Sequence, residues 1–167
     1  MLLTSRAAQA SPLGPFCQPD KIDYAGRVLS HDQGSAVANW GDLVAFVRSE
    51  YHVLEDSGDM LRILIEYEDD DRDQVVIITR QVLDKREDWV EVASVCGPAA
   101  NVDLHQLLAE LGETSVVCGA VIINEHVVLR HALPLENLQI NEFTDPLTFV
   151  ADTADQIEEI FFGGDGY

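Results

Sequence analysis

The chain has 167 residues, 47% of them apolar, which suffices for one ordinary core burying about 70% of the unfolded chain's surface and is too little for two. Thirty Asp and Glu against ten Lys and Arg leave a formal charge of -20, which opposes attraction to phosphate and to anionic lipid and excludes nucleic acid and anionic membranes as partners. The longest apolar run, 116–123, falls far short of the roughly 20 residues of a spanning helix, and Thr4, Ser5 and Arg6 interrupt the opening apolar residues before a signal-peptide core can form, so a cytoplasmic protein is expected.

Residues 1–33 read as an N-terminal arm: Pro12, Pro15 and Pro19 fall close together and no apolar periodicity persists. The remaining residues, 34–167, read as a single α+β domain. Val37, Trp40, Leu43, Val44, Val47 and Tyr51 recur at three- and four-residue intervals, which predicts a helix with Ser35 as its cap and His52 at its end. Leu61, Ile63, Ile65 and Tyr67 alternate with more polar neighbours, which predicts a strand. The acidic run Asp69, Asp70, Asp71, Arg72, Asp73 then connects it to the β-branched run 75–79. After Lys85, Arg86, Glu87 and Asp88, strand-like alternation resumes over 89–96 and stops at Gly97-Pro98.

Asn101 is placed to cap a short helix in which Leu104, Leu107, Leu108 and Leu111 share a face, with Gly112 at its expected end. Two strands follow, 116–123 and 127–133, joined at Asn124-Glu125, where Asn tolerates the positive φ of a tight hairpin. Residues 134–143 give no clear signal. Thr144, Asp145 and Pro146 resemble a cap followed by a first-turn proline, and Leu147, Val150, Ala151, Ala154, Ile157 and Phe161 continue as a helical stripe to Gly163-Gly164. The order is α-β-β-β-α-β-β-α, with a mostly antiparallel five-stranded sheet.

The second hairpin is apolar on both faces. Val117, Val121 and Ile123 point one way while Val116, Cys118, Ala120 and Ile122 point the other, so something must cover the second face. A two-fold homodimer through Val117, Val121, Ile123 and Val128 is the expected cover.

No constellation for chemistry emerges. Asp69, Asp71 and Asp73 share the spacing of the first calcium-loop ligands, but Gln74 stands where that loop needs Gly and Arg80 where it needs a bidentate Glu. Cys17, Cys96 and Cys118 lack C-x-x-C spacing and read as reduced thiols, and His31, His52, His105, His126 and His131 form no zinc pattern. Acyl-transfer, nucleotide-binding and zinc-protease motifs are missing, so neither an enzyme, a metal nor a cofactor is expected. Residues 87–167 hold fifteen acids and one base, Arg130; such a field favours encounters with basic polypeptides. Trp40, Val44, Val47, Tyr51 and Trp89 are the candidate partner contacts, with core packing as the competing role of the aromatic residues.

Residues 35–163 resemble the type III secretion chaperone-like fold and its YbjN-like family. The likeness is carried by Asn39-Trp40-Gly41-Asp42-Leu43, the meander 61–96, the helix Val102-Asp103-Leu104-His105-Gln106-Leu107-Leu108, the hairpin 118–133 and Asp145-Pro146-Leu147-Thr148-Phe149-Val150-Ala151. It implies an acidic homodimer that binds a partner protein without ATP and without catalytic residues; the arm departs from the pattern. The expected function is thus a non-catalytic, chaperone-like or adaptor-like protein-binding module. A small enzyme or metal-dependent module assembled by the fold around His126, Cys118 and the acidic hairpin is the alternative.

Overall fold

The computed structural model describes residues 36–37, 39–67 and 72–163. The arm expected over 1–33, the Ser35 cap, Cys17, His31 and the hairpin acids Asp69, Asp70 and Asp71 lie outside the described residues. The elements run β1 (Ala36–Val37), α1 (Trp40–Glu50), β2 (His52–Asp56), β3 (Met60–Glu66), β4 (Asp73–Leu83), β5 (Glu87–Pro98), a 3-10 turn (Ala99–Asn101), α2 (Leu104–Thr114), β6 (Gly119–Ile123), β7 (His126–Pro134), β8 (Leu138–Gln139) and α3 (Ile140–Ile157). One π-helical turn, Glu158–Phe162, continues α3.

The class is α+β, as the element order implied. The main sheet is antiparallel in the order β2-β3-β4-β5-β7-β6, and β1 pairs separately with β8. It has six strands where the sequence predicts five. The added strand is β2, in which four of five side chains are exposed, so it shows no apolar alternation and His52 opens a strand instead of ending a helix. Pairing with β3 holds it at the sheet edge, with a register shift between Val53 and Glu55.

The helix boundaries also move, each for a local reason. Asn39 caps α1, its side-chain oxygen accepting from the Asp42 N–H at 3.2 Å, while Val37 pairs with Leu138 in the small sheet. Asp103 rather than Asn101 caps α2, accepting from the N–H groups of His105 and Gln106 at 2.9 and 3.3 Å. Helix α3 begins at Ile140 rather than at the Thr144-Asp145-Pro146 signal. The wholly buried Phe143 extends its apolar stripe one turn back, and the Glu142 carboxylate accepts from the Gln139 N–H at 2.9 Å. Pro146 consequently lies inside the helix, where it cannot donate to the Glu142 carbonyl. Strand β6 starts at Gly119, leaving Val116 outside it and 99% exposed.

Asn124 and Glu125 take φ of 48° and 66° in the two-residue turn between β6 and β7, the hairpin that Asn124 predicts. Gly97 holds φ +151° at a register shift in β5, and a Cβ there would lie 2.5 Å from the Phe162 ring, so glycine lets the π-helical turn close on the sheet.

The core lies against one face of the sheet. Leu61 and Ile63 of β3, Val76 and Ile78 of β4, Val90, Val92 and Cys96 of β5, and Val127 and Leu129 of β7 are buried with residues of all three helices. Trp40, Leu43, Val44 and Val47 come from α1, Leu107 and Leu111 from α2, and Phe143, Leu147, Val150, Ala151, Ala154 and Ile157 from α3. Full burial of each large aliphatic side chain stabilises by about 1.5–3 kcal/mol before conformational entropy is charged.

A polar cluster pins the end of α3 to this face. Gln74 donates to Glu158 at 2.8 Å and to the Ser94 hydroxyl at 2.7 Å, and Ser94 donates to the Val75 carbonyl at 2.7 Å. Arg72 reaches Asp155 at 2.6 Å and Glu159 at 3.1 Å, and the Tyr67 hydroxyl donates to Asp152 at 3.3 Å. Burial pushes the neighbouring Cys96 thiol up to about 12, with the Glu158 charge adding to it, which leaves an inert side chain.

Candidate functional site

Successive side chains of a strand point to opposite faces, so every residue adjacent to a core residue in β3, β4, β5 and β7 points away from the helices. The registers align these residues into rows that cross the strands. Leu64 lies opposite Val75, Val95 opposite Val128, and Val128 opposite Val121. Val75 and Val95 each stand one residue beyond the Val76–Ser94 pair that ends the β4–β5 ladder. Five apolar side chains therefore follow one another over β3, β4, β5, β7 and β6, a ridge of about 19 Å at the usual strand spacing. None of the five belongs to the helix-packed core, and among the described residues no helix covers them.

Charged and mixed rows flank the ridge. On one side Arg62, Ile77, Ala93, Arg130 and Gly119 align across the same strands. Arg62 pairs with Glu55 at 3.6 Å, and Arg130 with Glu91 of the next row at 3.0 Å. On the other side stand Glu66 and Asp73, opposite one another, and then Ile123 and His126 at the β6–β7 turn. Beyond the arginine row Trp89 lies opposite Gln81 and Pro134. There Gln81, Leu83, Trp89, Glu91, Val117 and Arg130 line most of a cleft of about 470 Å³, continuous with the face through Glu91 and Arg130.

The structure separates the predicted contact residues into two groups. Trp40, Val44 and Val47 are buried in the core, and the Trp40 indole donates to the Gly58 carbonyl at 2.7 Å. The α1 stripe is therefore spent on the chain's own interior, a correction to its reading as partner surface. Tyr51 is half-buried, edge-on to Phe46 with ring centres 6.3 Å apart, and burial followed by the Glu50 charge pushes its hydroxyl up to about 12. Trp89 is half-buried on the helix-free face. Val121 and Val128 fall in the ridge, Ile123 lies at its margin 40% exposed, and Val117 precedes β6 and lines the cleft.

Sequence reasoning missed Leu64, Val75, Ile77, Ala93 and Val95. Their signal was present: Val75-Val76-Ile77-Ile78 and Val92-Ala93-Ser94-Val95-Cys96 are apolar at both parities, as the β6–β7 hairpin is. Of the residues of the metal or enzyme alternative, His126 and Cys118 are engaged locally. His126 Nδ1 lies 2.8 Å from the Asn124 carbonyl, Cys118 lies 3.1 Å from the Ser115 hydroxyl, and no group of three metal-ligating side chains forms among the described residues. No described helix is long and apolar enough to cross a membrane.

No family model matches the chain, and no curated protein does. Among solved structures it is similar to a chain of the HopA1–SchA chaperone–effector complex, with a TM-score of 0.50 and 14% identity over 69% of this chain and 88% of that one. At that identity the likeness is one of fold.

Proposed function

We propose that this chain is a non-catalytic binding module that holds a partner polypeptide against the helix-free face of its sheet, with basic groups on the partner answering the acidic surface. The observation that carries this reading is the ridge Leu64, Val75, Val95, Val128, Val121, over which no described helix packs. Continuous apolar surface rimmed by charge marks interaction sites on soluble proteins. The formal charge of -20 accelerates encounter with a basic partner and rejects acidic ones. The fold-level likeness to a chain of a chaperone–effector complex supports the same reading by analogy.

A second copy of the chain is the other occupant, and one observation favours it. Arg62 on one side of the ridge and Glu66 on the other both belong to β3. A two-fold axis lying along the ridge therefore sets Arg62 of each copy against Glu66 of the other, the isologous pairing of a homodimer.

Salt separates the two occupants. Self-association sets two chains of charge -20 against each other and strengthens as salt screens the repulsion, whereas binding of a basic partner weakens, mostly through its on-rate. The test is sedimentation of the chain alone and association kinetics with its copurified partner, both between roughly 50 and 500 mM salt, a range over which the screening length falls severalfold. An association rate unchanged across that range contradicts the charge component of the proposal.

A further inference from the structure

The cleft beside the ridge has a chemistry of its own. Strand alternation places Glu87, Trp89 and Glu91 of β5 on one face, so the indole stands between two carboxylates. The Trp89 Nε1–H points toward Glu87 at 3.5 Å, and Glu91 holds Arg130 at 3.0 Å. Leu83, 47% exposed, together with Val117 and Ala132, supplies apolar wall.

Arg130 is the only base in residues 87–167, and its ion pair with Glu91 cancels its charge locally while Glu87 remains beside the indole. Aromatic surface, carboxylates and an acidic field together are complementary to a cation carried on an aliphatic stem. A volume of about 470 Å³ lies within the range of sites that enclose a small ligand or a few side chains.

The geometry points to this cleft as a specificity pocket for a lysine or arginine side chain of the partner, its stem along Leu83 and Val117 and its charged head over the face of the Trp89 ring, with Glu87 at the ring's N–H edge. The inference rests on the reading of the helix-free face as a partner surface and names the residue type recognised at its end. An anion at Arg130 is the competing occupant; it would have to displace Glu91 inside an acidic field.

The two tryptophans give two separate indole reporters, Trp40 in the core and Trp89 in the cleft. The full-length ¹⁵N-labelled protein, with valine methyls also labelled, is titrated with three nine-residue peptides of alternating valine and threonine. They differ only at the central residue, which is lysine, norleucine or glutamate. The expected result is a saturable shift of the Trp89 indole signal with the lysine peptide, a static Trp40 signal, and binding about tenfold weaker for norleucine, the scale of a desolvated cation–π contact. Glu87→Gln, at an exposed position, is expected to narrow the preference for lysine severalfold without altering the Trp40 signal.

Equal affinity of the lysine and norleucine peptides overturns the inference, and so does tightest binding by the glutamate peptide. Val95 and Val121 methyl shifts with an unmoved Trp89 also overturn it while leaving the helix-free face as a binding surface. Silence of both the methyls and Trp89 with every peptide counts against the pocket and the face together.

Discussion

Leu129 and Val128 are neighbours in β7 and both are buried, 0% and 5% exposed, yet for different reasons. Leu129 lies under helices in the common core, whereas Val128 is shielded by Val95 and Val121 on the adjacent strands, with no described helix above it. The two faces of the sheet thus share strands, register and β-branched composition, and differ in what lies over them. Low exposure of a residue in the middle of a flat apolar face reports crowding by its neighbours, and only the packing against other elements reports a cover.

The comparison breaks first under large-to-small substitution. Leu129→Ala on the covered face should cost about 2–5 kcal/mol in urea unfolding, through lost transfer energy and a cavity the helices cannot fill. Val121→Ala on the open face should cost under about 1 kcal/mol, because little else closes around it. Equal costs at the two positions would mean that the ridge is covered within the chain.

A smaller effect sharpens how α3 is fixed to the covered face. Glu158→Ala removes one of the two acceptors of the buried Gln74 amide and should destabilise by about 1–3 kcal/mol, the cost of an unmade buried hydrogen bond. Gln74→Leu combined with Glu158→Leu removes both partners and should recover much of that loss. A double variant weaker than the sum of its single variants would contradict this account of the cluster.

The smallest effect is electrostatic. Burial holds the Asp152 carboxyl above the usual carboxylate range; the Tyr67 hydrogen bond pulls it back and the Asp155 charge pushes it up again. A raised folded pKa means that the folded chain binds this proton more tightly than the unfolded one. Its contribution to stability is therefore present below the unfolded carboxyl pKa and is lost as pH rises through the folded value, leaving a penalty at neutral pH. Asp152→Asn should accordingly raise the melting temperature by about 1–2 °C at pH 7 and leave it unchanged near pH 3, where Asp152 is already neutral in both states. A gain at pH 3 as large as at pH 7 would assign the effect to packing.

Much of this fold is legible in the sequence because burial on one side imposes a period. The stripes of α1, α2 and α3 and the alternation in β3 follow from having a single covered face, and Asn124 marks the β6–β7 turn. Strand β2 escapes because an edge strand that buries almost nothing carries no period. The start of α3 escapes because Thr144-Asp145-Pro146 satisfies a local cap rule that the burial of Phe143 outweighs. The ridge is half legible: double-sided apolarity announces an extra contact face, but which residues join across it depends on registers that only the folded sheet supplies. For the same reason Trp40 and Trp89 look alike in sequence and part company in the structure, one in the core and one at the cleft.

The most direct test of the central claim is the native mass of the protein gently purified from its own host, compared between the natural sequence and Val121→Glu. The account predicts that the natural protein carries a second polypeptide at fixed stoichiometry, another protein or a second copy, and that Val121→Glu runs as a bare monomer with an unchanged circular dichroism spectrum. A natural protein that is itself a bare monomer, or a variant that retains its companion, would contradict the assignment of the helix-free face as the binding surface.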